Sequence, residues 1–341
     1  MPDSQPKRTR RGSGAVTLHD VARLAGVAPI TASRAVNTPG AVSDDVRARV
    51  HDAIARTGYV PNRLAGGLAS ARSKLVAAVV PTISGLVFLQ TLQALSETLA
   101  EQGYQLMVGQ SGYADSREDA LLDAIIGRRP DGIVLTGILH SAQGRKRLLA
   151  AGIPVVETWD LTPTPIDMLV GFSHAEVGRR VADFLHAKGR RQLAIVLGDD
   201  ERARRRLQAF QARAAELGLP PVLSEVVPAP TTLKSGRSAL ASLLERCPAI
   251  DAVFCTSDLL ALGVLTQAQV GGIAVPGRLA IVGFGDLEFA ADVHPALTTV
   301  QINGAAIGRQ AAHFLLDRIE GRAVAARVVD IGFSIVERGS T

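Results

Sequence analysis

Two cysteines in 341 residues, Cys247 and Cys255, are too few to staple a fold with disulfides. That excludes the cross-linked secreted class and fits a reduced, cytoplasmic setting. Aromatic residues are scarce, at 4%. No apolar run approaches the roughly 18 residues of a membrane span. Residues 1–15 are polar and basic, without the apolar core of a secretion signal, so export is not expected. Common enzyme signatures are missing too. After LVAAVVP at residue 75 comes TISGLVF, not a Gly-rich dinucleotide loop. There is no phosphate-loop Gly-Lys-Ser/Thr, no zinc motif and no nucleophile elbow. His140, His174 and His294 have no metal-ligand spacing and read as ordinary surface or core histidines. No catalytic residue, cofactor or metal is therefore expected.

What remains is a chain able to build cores: 47% hydrophobic, 20% charged, with 33 glycines. Its length suits two to three domains. The formal charge of +5 is unevenly placed. Residues 1–74 hold 12 Lys and Arg against 5 Asp and Glu, and residues 75–341 hold 25 against 27. A basic front on a nearly neutral body points to a polyanionic partner for the front alone. A merely solubilising tail is the plainer alternative.

Residues 1–15 read as a disordered basic arm, 16–58 as three short helices, and 59–74 as a linker with one short helix. The first helix is expected from Leu18 to Ala25, broken by Gly26. The second runs from Pro29 to Val36, and the third from Ser43 to Thr57 with Ser43 as N-cap. From residue 75, apolar strands at 75, 104, 131, 153, 192, 251 and 279 alternate with amphipathic helices. That alternation predicts parallel sheets covered by helices. About 260 residues are too many for one such sheet. Two sub-domains with a cleft at the strand carboxyl ends are expected, roughly 75–171 with 303–330 and 172–302 with 331–341.

The stretch VTLHDVARLAGVAPITASRAVN at 16–37 is helix, Gly-containing turn, helix. That geometry lets the second helix enter a DNA major groove. Pro29, Ile30 and Arg34 would face base edges, Arg34 able to bond bidentately to a guanine. Thr17, Thr31, Ser33, Asn37 and Ser43 carry short polar groups suited to phosphate contacts.

VTLHDVARLAGV…TASRAVN, VSDDVRARV and GYVPNRLAGGLAS resemble the headpiece and hinge of LacI-type bacterial regulators. The resemblance continues through PTISGLVF, DGIVLTG, AGIPVVE, CTSDLLALG, VPGRLAIVGFGD and ALTTV. It implies a helix-turn-helix headpiece, a hinge helix and a core like periplasmic sugar-binding proteins. VFLQTLQALSETLAEQGYQLMVGQSGY and IPVVETWD…VGFSHAE look nearest to gluconate-responsive repressors. Two departures stand out. Ala28 replaces the usual Ser or Thr N-cap of the recognition helix, at a cost of about 1 kcal/mol that Pro29 offsets in part. Pro29 and Ile30 occupy positions that vary with operator sequence, and Ile30 suits a thymine methyl.

Asn62 to Ser70 matches the family's hinge helix. Nine residues containing Gly66 and Gly67 make a marginal helix in water, so ordering only on DNA is expected. By the resemblance, Leu68 of each of two subunits would wedge into the minor groove, with Asn62, Arg63 and Ala65 on groove or backbone. The expected partners are a double-stranded pseudo-palindromic operator and a second copy of the chain, as homodimer or tetramer.

For an effector, the resemblance places Arg206 at the family's ligand-binding arginine, Asp258 at its cleft aspartate and Ser257 beside it. Ser84 and Ser173 fall in strand-end loops that line the cleft in relatives. Phe88 and Trp159 offer stacking surface, or are ordinary core residues. Gly285 stands where many neutral-sugar members carry an acidic side chain. One carboxylate fewer, with Arg206 kept, favours a sugar acid such as gluconate, because a guanidinium grips a carboxylate bidentately. The alternatives are the same regulator answering a neutral sugar or nucleobase, or a sugar-acid-metabolising enzyme.

Overall fold

Apolar spacing changes from helical to strand-like after residue 74, and the backbone follows it. A computed structural model describes residues 16–60, 72–112, 115–138 and 141–341. The chain divides into two compact units, Met1–Ser73 and Lys74–Thr341.

In the first unit, α1 (Leu18–Ala25), α2 (Pro29–Asn37) and α3 (Asp44–Thr57) enclose a small core of Val21, Ala22, Ala25, Ala32, Ala35, Val50 and Ala53. Alanines dominate because three short helices must approach closely. Gly26 ends α1 in the left-handed region, with φ 66°. Ala28 caps α2 without a side-chain bond, and Pro29 follows at its first position.

In the second unit, β1 (Leu75–Val80), α4 (Leu89–Glu101), β2 (Gln105–Gln110), α5 (Asp115–Ile126), β3 (Gly132–Thr136), α6 (Ala142–Ala151), β4 (Val155–Thr158) and β5 (Met168–Gly171) come first. They are followed by α7 (His174–Ala187), β6 (Leu193–Gly198), α8 (Glu201–Glu216), β7 (Leu223–Val227), α9 (Leu233–Arg246), β8 (Ala252–Cys255), α10 (Asp258–Val270) and β9 (Ala280–Phe284). Then come α11 (Phe289–Asp292), β10 (Thr298–Gln301), α12 (Gly304–Ile319), β11 (Val328–Asp330) and β12 (Ser334–Val336).

The strands form two six-stranded sheets, ordered β11-β5-β4-β3-β1-β2 and β12-β10-β9-β8-β6-β7. Among the described residues, every strand pairing in these sheets is parallel except β10 with β12, where Thr299 faces Val336. The expected all-parallel sheet therefore carries one antiparallel edge. Strand β12 reaches this edge from β11 of the other sheet, after only three residues, Ile331–Phe333. The chain passes between sheets after β5, after β10 and after β11. Central strands such as β6, buried at all six positions, read as continuous apolar runs because helices cover both faces.

One close approach matters for the site. A Cβ on Gly178 of α7 would sit 2.3 Å from the carbonyl oxygen of Arg206 on α8. Only glycine lets these helices touch there. That contact brings the Arg206 turn against the start of α7.

Candidate effector cavity and DNA-reading face

The loops after the carboxyl ends of β1, β4, β6, β8 and β9 meet around a cavity of about 110 Å³. A single water needs roughly 10–15 Å³ of such space, so the cavity admits a small molecule of on the order of ten non-hydrogen atoms. Its wall includes Ser84, Phe88, Trp159, Arg206, Ser257 and Asp258. Six of the eight expected effector residues are thus brought together. Ser173 is not among the lining residues; it caps α7, accepting from the Glu176 amide at 3.1 Å. Gly285 also stands outside this wall, and its φ of 126° explains the glycine by backbone conformation rather than by a missing carboxylate.

Arg206 lies at the centre and is buried, at 5% exposure. Its Nη1 donates to His174 Nδ1 at 2.8 Å and its Nη2 to the Thr256 carbonyl at 3.4 Å. Its guanidinium carbon stacks 4.2 Å above the Phe284 ring. Its Nε is buried with no hydrogen-bond partner among the described residues. Burial pulls its pKa down to about 10, against the pull of Asp200. A guanidinium only donates, so His174 must accept at Nδ1 and carry its proton on Nε2. That Nε2–H faces the Trp159 carbonyl at 2.8 Å. Burial first, and then Arg206, push the His174 pKa well below its usual value, so the ring is neutral.

His174 was expected to be unremarkable, and it is the residue that holds the cavity arginine in place. Its position supplies the missing signal: it opens a helix immediately after a strand end. The neutral ring joins Trp159, beside the first sheet, to Arg206, beside the second. Trp159 itself holds φ at 67°, a conformation that bulky residues adopt only under constraint. Its Nε1 donates to Thr91 Oγ1 at 3.1 Å, and Phe88 packs edge-on at 5.1 Å. Trp159 is 2% exposed and Phe88 7%, so both are core residues that also form the cavity floor.

Asp258 differs from the expected free cleft carboxylate. It is fully buried, and both oxygens are engaged. Thr299 Oγ1 donates to Oδ1 at 2.6 Å and the Leu287 amide donates to Oδ2 at 2.7 Å. Its role is to tie the loop after β9 to the start of α10. Ser257 caps α10 and shares a hydrogen bond of 3.0 Å with Thr231. Thr231, Thr82, Asp200 and Arg202 also line the cavity and were not anticipated.

The Asp258 carboxyl is pushed up to about 6 by burial, against the two hydrogen bonds. Its unfolded value is about 3.9. The folded state therefore holds the proton more tightly between roughly pH 4 and 6. Stability from this group is full below about pH 4 and is lost as pH rises through about 6. At one pKa unit per about 1.4 kcal/mol, the chain should gain about 1 kcal/mol over Asp258→Asn on moving from pH 7.5 to 5. Urea melts of both proteins at the two pH values check this; a difference independent of pH would sink it.

On the first unit, α2 turns Ala32 and Ala35 inward. Pro29, Ile30, Arg34 and Asn37 are exposed, and Thr31 and Ser33 are half-buried. Ile30 is 61% exposed, an apolar side chain on a face otherwise built for contact. Asn37 donates to Ser33 Oγ at 3.3 Å. Thr17 is engaged elsewhere: its hydroxyl donates to Asp20 at 2.7 Å in the α1 cap. Ser43 caps α3, accepting from the Val46 amide at 3.4 Å. Both remain exposed, but their polar groups already have work in the helix starts. Asn62, Arg63, Ala65 and Leu68 lie outside the described residues.

A helix-turn-helix unit with an exposed second helix, joined to a two-sheet core whose interior cavity has an apolar floor and a few polar groups, defines a ligand-governed DNA-binding regulator. Residues 17–62 match the model of bacterial regulatory proteins of the lacI family, and residues 182–341 match a periplasmic binding protein-like domain. HTH-type transcriptional regulator GntR of Pseudomonas aeruginosa is 36% identical over 343 residues, covering 100% of both chains. A LacI-family regulator from Silicibacter pomeroyi superimposes with a TM-score of 0.90 at 33% identity, covering 95% of this chain and 99% of that one. The lac repressor dimer bound to operator and an anti-inducer gives a TM-score of 0.81 at 25% identity, over 96% and 99%. The chain belongs to the lacI family and is a DNA-binding transcriptional repressor, not an enzyme. No helix among the described residues is long and apolar enough to cross a membrane.

Proposed function

We propose that this repressor is governed by gluconate or a related aldonate bound in the cavity between the two sheets. The observation that carries the reading is Arg206, a buried cation with an unpartnered Nε on the wall of a small cavity. A buried charge without a matching anion is costly, and a ligand carboxylate supplies one. The hydroxyls of Thr82, Ser84, Thr231 and Ser257 on the same wall suit a polyhydroxy chain. The motifs near Trp159 resemble gluconate-responsive repressors, and a full-length relative carries the name GntR.

In this reading residues 16–58 read DNA, 59–74 form the hinge, and 75–341 bind effector and pair with a second copy. Two headpieces then read a pseudo-palindrome. Pro29, Ile30 and Arg34 meet base edges, and Thr31, Ser33 and Asn37 meet phosphates. The hinge folds only when the dimer holds both copies together on DNA. Effector in the cavity shifts the angle between the sheets and separates the hinges. A coupling of about 1–3 kcal/mol changes operator affinity about 5- to 150-fold.

A thermal-shift panel of aldonates, ketoaldonates and neutral sugars tests the ligand, and a gel shift on DNA upstream of the gene tests release. Gluconate at about 100 times its Kd should add about 2.7 kcal/mol of stability and free the DNA. A panel in which only neutral sugars or nucleobases raise the melting point overturns the sugar-acid reading.

A further inference from the structure

Four charged side chains line the cavity: Asp200, Arg202, Arg206 and Asp258. Asp258 is matched by protein donors at both oxygens, and Asp200 at Oδ1. Asp200 Oδ1 caps α8, accepting from the Ala203 amide at 2.9 Å. Asp258 accepts from Thr299 and Leu287 as described. The two guanidiniums are not fully matched. Arg206 Nε and Arg202 Nη1 are both buried, and neither has a hydrogen-bond partner among the described residues. Two buried guanidinium N–H groups on residues of the cavity wall are therefore met by no acceptor among the described residues.

Arg202 is unusual in three further ways. It sits in the first turn of α8, where the helix dipole disfavours a cation. It precedes Arg206 by four residues, so two like charges share one helix face. Its guanidinium carbon lies 5.3 Å from the Phe88 ring centre, and its side chain is only 16% exposed. The nearest carboxylate contact, Asp200 Oδ1 at 4.0 Å from Nε, is too long for a hydrogen bond. The contact with Phe88 is favourable, whereas the dipole and the neighbouring cation both cost stability that an added anion would offset. Arg206, by contrast, has both Nη atoms engaged by His174 and Thr256 and offers a ligand mainly its Nε edge.

We propose that Arg202 and Arg206 together hold the effector carboxylate, Arg202 through Nη1 and Arg206 through Nε, and that Arg202 makes the cavity choose an acid over the corresponding neutral polyol. The inference rests on the sugar-acid reading and adds a specificity residue to it. A carboxylate brings two oxygens and a full charge, enough for one acceptor to each guanidinium. The terminal hydroxyl of a polyol brings one oxygen and no charge, and leaves a cation unmatched. The remaining hydroxyls of either ligand meet the same Ser and Thr side chains, so only the acid end reads Arg202.

Calorimetric titration of the full-length chain with sodium gluconate and with D-glucitol, which differ only at that end, tests this. Arg202→Gln should weaken gluconate binding about 10- to 100-fold, the loss of one charge-assisted hydrogen bond. It should leave glucitol binding within about threefold, so the preference for the acid collapses. Arg202→Lys, keeping the charge but not the fork, should recover part of the gluconate affinity. Unchanged melting temperatures without ligand show that the variants fold. Gluconate affinity unaltered in Arg202→Gln would overturn the proposal, and so would an equal fall for both ligands, which is the mark of a structural role. If the parent chain ignores gluconate and every other aldonate, the sugar-acid reading itself fails.

Discussion

Replacing Arg206 with methionine should weaken gluconate binding on the order of 100- to 1,000-fold, the cost of removing one partner from a buried charged pair. The variant should stay on DNA at gluconate concentrations that release the parent. Methionine keeps the volume and the apolar contact with Phe284 but removes every donor. The effect exceeds that of Arg202→Gln because Arg206 also organises its neighbours. His174 Nδ1 would lose its donor and become a buried unsatisfied acceptor, at about 1–3 kcal/mol. A lower melting temperature should accompany the lost response. DNA affinity without gluconate should be unchanged, because α1 to α3 belong to the other compact unit, Met1–Ser73. Fluorescence anisotropy of labelled operator across a gluconate titration reads both quantities. Release at the parent's gluconate concentration would remove Arg206 from the effector site.

Much of this site was legible in the sequence, and the reason is positional. Strand ends in open α/β sheets face the ligand, and Ser84 and Trp159 follow such ends; Ser257 and Asp258 came from the resemblance to LacI-type regulators. Their chemistry was less legible. Whether Asp258 presents a free carboxylate depends on Thr299, 41 residues away, and on the Leu287 amide. Residue type at 258 cannot report those partners. Gly285 carried a functional argument in sequence and a conformational one in structure, since φ 126° requires glycine. Arg202 has no separate signal in the sequence, where it opens the run RARRR with Arg204 and Arg205. Only helix rotation separates them: Arg204 is exposed, whereas Arg202 and Arg206 face the cavity.

The sheets show the same division. Long apolar runs such as LVAAVV and LAIVLG announced β1 and β6. The strands β5, β7, β10, β11 and β12 were missed. The first is four residues after a polar loop, β7 (LSEVV) mixes polar and apolar residues, β10 (TTVQ) is half polar, and the last two have three residues each. Pairing partners supplied by the rest of the sheet, not local pattern, fix such strands.

A chain lacking residues 1–73 should bind gluconate as the parent does and lose operator affinity by about a thousandfold or more. The two units have separate cores: Val21, Ala32 and Val50 pack with one another, and the sheets pack around Phe210, Phe254 and Leu315. Removing the first unit therefore takes no side chain out of the core of the second. Electrostatics decides the DNA side. The first 74 residues carry 12 Lys and Arg against 5 Asp and Glu, whereas the rest carry 25 against 27. The rest has no net positive charge with which to displace counterions from phosphate. The parent's affinity should fall steeply as salt rises from about 50 to 200 mM, and the shortened chain should show no specific binding at either salt. Gel shifts at both salts, with gluconate calorimetry on the same preparation, measure the two halves of the claim. Operator binding that survives the deletion would place DNA recognition in the sheets. Gluconate binding that disappears with it would mean that the cavity depends on the helical unit.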